Sequence, residues 1–484
     1  MPFLSMPAET VRRPAATFAP QPRVLWIELT SKCPFDCVFC SRRLRRGAGV
    51  HMDIALYRRI IGELETPEVI RLNYSGESTH HPHIIEAIRL AAATGATTEL
   101  VTALASLPER LIEPLASSGL DRLTLSLHTL DSVQYREIYR HGSIDELRRK
   151  LAAFVTASDK ARLRKPLLDL AVVAMRRNLG QLLPLASFAA EIGAVAISIH
   201  PVIRRDPTPD AFVEELDSDR LRPEFLVDLT QKVAQIQRLY PGLPLTVSTP
   251  EVNGDACLGD RPVPFPGRLP DGARIHSCEQ NPWDTVHVLA DGSVVTCEVR
   301  DRVTLGRVCA EDTGPGLTEI WRGLSYSEFR ERYREGAVTE CRSCPYKMAF
   351  VQRPPVPEIN AAAGTHAQLL HGWHRPDGAG FLWAKRTAAL ELARPQNAQR
   401  LHIEGWVPAL ASRVRVEIDG AAAGELFGVC ADGGWATADL PMPVGNTTMV
   451  SVVLHADRPL VPFKAGLGND TRELGFGLKR IGVR

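Results

Sequence analysis

The chain has 484 residues, 44% of them hydrophobic, with 57 basic against 56 acidic side chains and a net charge of +1. That length predicts about two to four domains with ample apolar material for packed cores. The balanced charge excludes a global electrostatic grip on nucleic acid or a membrane surface, and no apolar run is long enough for a transmembrane helix. Residues 1–22, rich in Ala and Pro with Arg12 and Arg13, lack the continuous apolar stretch of a signal peptide and read as a flexible tail. Ten cysteines, clustered and without a secretion signal, favour metal binding in a reducing cytoplasm over disulfides.

An apolar run, Val24 to Thr30, leads directly into Cys33-Pro34-Phe35-Asp36-Cys37-Val38-Phe39-Cys40. Three thiols at C-x3-C-x2-C spacing can fold around one metal cluster, but they supply three ligands where a closed site takes four. A zinc site and buried free thiols remain alternatives on spacing alone. Haem attachment is excluded, because Ser41 rather than a histidine follows Cys40.

Beyond this loop, strand-like and helix-like segments alternate. Strands are predicted at Val69–Tyr74, Thr98–Thr102, Leu123–Leu127, Leu168–Ala174 and Val195–Ile199, with helices at Ile84–Ala93, Pro108–Ser117, Ser132–Phe154 and Gly180–Ile192. Such alternation argues for right-handed βαβ units and a parallel sheet. Six units fit a partial (β/α)6 barrel; an open doubly wound sheet fits the same periodicity. In a parallel barrel, chemistry gathers at the C-terminal strand ends. Those ends carry the three cysteines, Ser75-Gly76-Glu77, Thr102, Ser126 and His128, Arg176 and Asn178, and His200. The two histidines read equally as substrate contacts or as satisfied structural residues, and His80-His81-Pro82-His83 as a helix entry.

The three-cysteine loop, with an aromatic before its last Cys and a strand before its first, resembles the signature of the radical S-adenosylmethionine (SAM) enzymes. The resemblance implies that Cys33, Cys37 and Cys40 hold a 4Fe–4S cluster whose open iron chelates SAM. Reductive cleavage of SAM would then give a 5′-deoxyadenosyl radical that abstracts a substrate hydrogen. It also implies an external electron donor of the flavodoxin or ferredoxin type. Gly76-Glu77 is similar to the family's GGE element, which holds the SAM amino group, although Ser75 replaces the first glycine. By the same likeness Ser126 meets the SAM ribose or carboxylate, and Arg176 reaches the carboxylate.

After Pro- and charge-rich connections and an amphipathic helix at Phe225–Leu239, a second cysteine set follows. Cys278 precedes a predicted hairpin, Thr285–Leu289 with an Asp291-Gly292 turn and then Cys297, and Cys341-Arg342-Ser343-Cys344 closes the segment. Four thiols suffice for a cluster or for zinc. The pattern resembles the SPASM and shorter twitch extensions of radical SAM enzymes, which implies an auxiliary 4Fe–4S cluster on Cys278, Cys297, Cys341 and Cys344. Cys257 and Cys309 are possible replacements, Cys309 being expected as a buried spare.

A linker is expected at 351–370, followed by alternating strands with turns between them over 371–484, which predict an antiparallel β-sandwich of jelly-roll type. The domain boundaries are therefore 1–22 for the tail, 23–245 for the barrel, 246–350 for a small α+β auxiliary-cluster domain, then the linker and the sandwich. Trp373, Trp383, Trp406 and Trp435 are candidates to stack on sugar rings, with core packing as the competing role. The leading functional expectation is a radical SAM oxidoreductase or lyase acting on a small molecule of the sugar or aminocyclitol kind. A peptide-modifying maturase is the second reading, the short tail before the barrel weighing against a leader-peptide-binding domain. A non-catalytic zinc- or carbohydrate-binding adaptor is the third.

Overall fold

The computed structural model describes residues 19, 21–160, 166–202, 222–247, 258–259, 261–265, 267–311, 314–344, 346–408, 412–427, 433–445 and 447–484. They fall into two compact units. One holds Gln21–Pro250 and Thr285–Tyr326, the other Glu251–Asp284 and Ser327–Arg484. Among the described residues no helix is long and apolar enough to cross a membrane.

The first unit is organised on strands β1 (Val24–Ile27), β2 (Val69–Arg71), β3 (Thr97–Thr102), β4 (Arg122–Ser126), β5 (Leu167–Ala174), β6 (Ala196–Pro201) and β7 (Leu245–Val247). They pair in chain order, each parallel to the one before. A doubly wound sheet reverses direction at a switch point, and none occurs here. Unreversed right-handed crossovers put the connecting helices on one face, which is the partial barrel. Alternation along each strand agrees. Leu25, Ile27, Ile70, Leu100, Leu123, Leu125, Leu170, Val172, Ile197 and Ile199 are fully buried on the helical side, each contributing ~1.5–3 kcal/mol. The opposite positions, Trp26, Arg71, Glu99, Arg122, Ser126, Ser198 and His200, are mostly polar and only half-buried.

Two expectations are corrected in this unit. The predicted helix Ser132–Phe154 is two helices, Ser132–Tyr139 and Ile144–Lys160. Arg140 ends the first at φ 55° and Gly142 follows at φ 69°, left-handed backbone that no helix continues through. The predicted hairpin, grouped in sequence with the auxiliary-cluster segment, lies in the large sheet. After β8 (Val263–Pro264) and β9 (Ala273–Cys278) of the other unit, β10 (Thr285–Val288), β11 (Ser293–Val295) and β12 (Gly306–Arg307) extend the large sheet beyond β1. All four residues of β10 are buried, the pattern of a central strand, and it runs parallel to β1 with Trp26 opposite His287.

In the second unit, β13 (Lys347–Val351) lies between β8 and β9, antiparallel to both. The segment 351–370 is not a free linker. Within it β14 (Glu358–Asn360) pairs with the last strand, and the Gln368 amide donates to the carbonyls of Val356 (3.0 Å) and Glu391 (2.7 Å). The remaining strands are β15 (Leu369–Trp373), β16 (Leu382–Ala393), β17 (Arg400–Val407), β18 (Arg413–Ile418), β19 (Ala421–Phe427), β20 (Gly434–Pro441), β21 (Met449–Ala456) and β22 (Phe476–Val483).

These strands were expected as a sandwich and form one continuous antiparallel sheet, β19-β18-β21-β16-β22-β17-β20. The long strand β16 makes this continuity. Its first residues pair with β22 and its last with β21, so one strand turns the corner that two sheets would otherwise share. The sheet nearly closes on itself, since a Cβ on Gly424 of β19 would stand 2.6 Å from Leu440 of β20.

Candidate active site and metal centres

The cysteine loop starts where β1 ends and is anchored by its apolar residues. Phe35 and Val38 are buried, and the Asp36 and Val38 amides donate to the carbonyls of Tyr139 (3.2 Å) and Ile138 (3.0 Å). Phe35 also packs edge-on to Tyr139 and His141. The Arg42 guanidinium donates to the Ser31 carbonyl at 3.0 Å, bracing the loop from its far side. The three thiols stay half-buried and close together. Burial, then Glu77, pushes the Cys33 thiol up to about 12, with Cys40 a lesser cause. Cys37 is pushed well up by burial, then by Cys40 and Cys33. Such crowded thiols keep their protons until a cation takes their place.

Among the described residues no three His, Cys, Asp or Glu side chains converge on a single ion. Three half-buried thiols on one short loop are the donor set that an iron–sulfur cluster takes.

Gly76 lies against this loop so closely that a Cβ would stand 2.1 Å from the Thr30 carbonyl oxygen, and the Glu77 amide donates to the Lys32 carbonyl at 2.9 Å. Ser75, the departure from the GGE pattern, is in use: its hydroxyl donates to the buried Glu28, whose other oxygen accepts from the Ala290 amide at 3.0 Å. Sequence reading missed Glu28, and the carboxylate ending an otherwise apolar strand was the available signal. Just after β2, Asn73 Oδ1 and the Tyr74 hydroxyl are buried without hydrogen-bond partners among the described residues, polar atoms that a ligand at this rim would satisfy.

Gly76-Glu77 is expected to hold the SAM amino group through backbone and carboxylate. In the structure Glu77 Oε1 accepts from the Thr79 amide (3.3 Å), the Thr79 hydroxyl (2.8 Å) and the Thr102 hydroxyl (2.8 Å), and Oε2 from the Ala103 amide (3.0 Å). Its carboxylate is committed to tying the loop after β2 to the end of β3. His128 is settled as structural. Its Nδ1 accepts from the Val173 amide at 3.1 Å, which leaves the proton on Nε2, 3.4 Å from Ser126 Oγ. Its ring stacks on Tyr139, and burial lowers its pKa to about 3. Asn178 is equally committed, to Met175, Val173 and the His128 carbonyl. Ser126 sits half-buried at the end of β4, and Arg176 is exposed after β5, 3.8 Å from the exposed Glu224. His81 accepts from the His83 amide and contacts the Met52 carbonyl, the helix-entry role expected of it.

One further row was not legible in the sequence. Register places His287, Trp26, Arg71, Glu99 and Arg122 side by side on the half-buried face. Arg71 donates to Glu99 at 2.7 Å and lies over the Trp26 ring at 4.7 Å, and Arg122 bonds Asp169. This charge-paired row lies below the strand ends.

In the second unit, Cys278 ends β9 in register with Lys347 of β13. Cys341 lies in the short helix Thr339–Ser343, which Cys344 caps. The Tyr333 pKa is pushed well up by burial, then by Cys278, Cys341 and Cys344. Among the described residues no nitrogen or oxygen engages the Tyr333 hydroxyl. Burial lowers Lys347 to about 8, and the Cys344 and Cys341 thiols oppose that shift. Cys297, the fourth thiol of the pattern, follows β11 in the first unit and is half-buried. Cys257 lies outside the described residues. Cys309 is exposed rather than a buried spare, because Val308 takes the buried position after β12 and the next residue turns outward.

The C-terminal sheet brings together three of the four tryptophans. Trp406 and Trp435 are register partners, and Phe381 packs edge-on between Trp383 and Trp435. Neighbouring rings meet edge to face at interplanar angles of 83° to 89°. Trp373 packs elsewhere, its Nε1 donating to the Ala389 carbonyl at 2.9 Å.

Comparison with known proteins follows the same division. Residues 27–158 match the Radical SAM superfamily and residues 278–345 match an iron–sulfur cluster-binding domain, SPASM. A PqqA peptide cyclase of Ruegeria pomeroyi is 32% identical over 184 residues, 37% of this chain and 47% of that protein. A tungsten-containing aldehyde ferredoxin oxidoreductase cofactor-modifying protein of Pyrococcus furiosus is 24% identical over 188 residues (38% and 53%). GTP 3′,8-cyclase 1 of Pseudomonas aeruginosa is 32% identical over 173 residues (35% and 51%). The chain thus spans about half the length of these curated relatives. Among solved structures, SuiB of Streptococcus suis bound to S-adenosylmethionine aligns over 67% of this chain and 72% of that one, at 15% identity and a TM-score of 0.49. Residues 27–158 thus carry a Radical SAM domain, the kind that binds a 4Fe–4S cluster and SAM, and residues 278–345 a SPASM domain, the kind that binds auxiliary iron–sulfur clusters.

Proposed function

We propose that this enzyme modifies a peptide. The observation carrying this reading is the resemblance to PqqA peptide cyclases, 32% identical over 184 residues, joined to the SPASM-type cysteine set. The earlier expectation of a sugar or aminocyclitol gains no support from these relatives.

In this reading Cys33, Cys37 and Cys40 hold the SAM-binding cluster, and Cys278, Cys297, Cys341 and Cys344 the auxiliary one. The bound cluster supplies the electron that cleaves SAM to a 5′-deoxyadenosyl radical. Gly76 permits the close approach of the loop to the cysteine backbone, Glu77 holds that loop to β3, and Ser126 and Arg176 present a hydroxyl and a cation to the SAM polar groups. Asn73 and Tyr74 offer unspent hydrogen-bonding atoms to the same rim. An external one-electron donor of the flavodoxin or ferredoxin type reduces the enzyme.

The similarity to GTP 3′,8-cyclases favours a nucleotide substrate as the second reading. Both are tested by supplying reduced holoenzyme and SAM with a uniformly deuterated tryptic peptide mixture, or with a deuterated nucleotide mixture. Mass spectrometry then follows deuterium into 5′-deoxyadenosine. Peptide modification predicts label from the peptide arm; label from the nucleotide arm alone would replace it with the second reading.

A further inference from the structure

Lys347 is a lysine in the wrong place for a surface cation. It is 1% exposed, and among the described residues no carboxylate pairs with it. Its Nζ donates to the carbonyls of Gly267 and, at 2.8 Å, Cys344, and stands over the Phe265 ring at 5.4 Å. The β9–β13 register sets its residue opposite Cys278, and Cys341 and Cys344 lie near enough to act on its charge. Burying an ammonium without an anion costs several kcal/mol, and carbonyl dipoles and a ring face offset only part of that. The acidic groups around it are thiols. Bound to iron they are thiolates, and a four-thiolate 4Fe–4S cluster is net negative in both of its working oxidation states.

We propose that Lys347 is the built-in counter-charge of the auxiliary cluster, and that it raises the cluster's reduction potential. A fixed cation beside the cluster stabilises the more negative, reduced form more than the oxidised one. The same amine fixes the Cys344 carbonyl, and so the turn that aims the Cys341–Cys344 pair. Lys347 touches no substrate; it is a positioning and tuning residue. This inference rests on the auxiliary-cluster reading above, and its failure must be separable from the failure of that reading.

The experiment therefore uses the full chain carrying Cys33→Ala, Cys37→Ala and Cys40→Ala, in which only the auxiliary cluster can load. Iron and sulfide content and the electron paramagnetic resonance signal of the reduced protein come first. An iron-free protein at this step would reject the auxiliary cluster, and Lys347's role with it. With the cluster loaded, a redox titration compares Lys347 with Lys347→Met and Lys347→Arg.

The proposal predicts about a tenfold smaller reduced-to-oxidised ratio for Lys347→Met at a fixed potential, a shift of about 59 mV to the negative side for a one-electron couple. Lys347→Arg, which keeps the charge, should titrate near the parent. If Lys347→Met loads poorly, Lys347→Gln is titrated under the same criterion, since it keeps an amide donor but no charge. A loaded neutral variant with the parent's potential would overturn the proposal while leaving the cluster in place.

Discussion

The two cysteine sets are held by opposite means. The first is a short loop whose thiols are seven residues apart at most, seated by local contacts: Phe35 and Val38 inward, Arg42 behind, Gly76 across. The largest charged influence on Cys33 is the Glu77 carboxylate, which opposes thiolate formation, with Arg42 a smaller aid. In the second unit, Cys278, Cys341 and Cys344 come together through strand register and a capped helix, and a buried lysine sits among them. In the proposed reading, the three close thiols and their polar rim leave an iron open for SAM, and the thiols drawn from far apart in sequence close the second cluster beside Lys347.

Breaking the seat of the first set should have the largest effect. Gly76→Ala drives a Cβ to 2.1 Å from the Thr30 carbonyl, an overpacking that costs ~1–3 kcal/mol or displaces the loop. A displacement of this kind predicts about a hundredfold loss of 5′-deoxyadenosine formation, with iron content kept. Undiminished SAM cleavage would show that the loop after β2 does not seat the cofactor.

Glu77→Gln sharpens the same point. A carboxylate that positions the loop predicts a loss of ~1.5–3 kcal/mol in urea unfolding without SAM, because charge-assisted hydrogen bonds at Thr79, Thr102 and Ala103 weaken. Unchanged stability with weakened SAM binding would return Glu77 to the direct role first expected of it.

Acid probes the two units through their buried histidines. Burial lowers His128 in the first unit to about 3 and His276 in the second to about 4, from an ordinary 6.5. Between those values the unfolded chain binds a proton that the folded one refuses, so stability is whole above about pH 6.5 and falls towards the folded values. The slope reaches ~1.4 kcal/mol per pH unit for each histidine. Urea midpoints of the metal-free protein should fall from pH 7 to pH 5, and less steeply in His128→Gln. A flat profile would place these imidazoles in contact with solvent. Trp435→Ala is expected to do least. Half-exposed and remote in sequence from both cysteine sets, it should cost ~0.5–1.5 kcal/mol through lost ring contacts and leave SAM cleavage unchanged.

Much of the first unit was legible because its signals are local. Alternating segments, a strand running into a cysteine loop, and Gly76 beside it each express short-range chemistry. What escaped depends on register. Nothing in Trp26, Arg71, Glu99 and Arg122 taken singly says that they form one row, since parallel pairing sets that row. The hairpin at Thr285 to Val295 was correctly read as strand, yet its partner, β1, lies far away in sequence. The hydrogen bonds of the Glu77 carboxylate to Thr102 and Ala103 were not legible, because those residues lie at the end of another strand. Lys347 carries no signal in the sequence, and only its burial, with no carboxylate paired to it among the described residues, sets it apart.

The central claim is that one cysteine loop cleaves SAM and the other set holds a separate cluster. Anaerobic reconstitution with iron and sulfide, followed by dithionite and SAM, tests it in one preparation. The wild type should hold about eight irons and matching sulfide, as two clusters of four require, and should form 5′-deoxyadenosine. The Cys33→Ala, Cys37→Ala, Cys40→Ala variant should keep about four irons and form none. Deoxyadenosine from the triple variant, or a wild type that loads zinc in place of iron, would contradict the account.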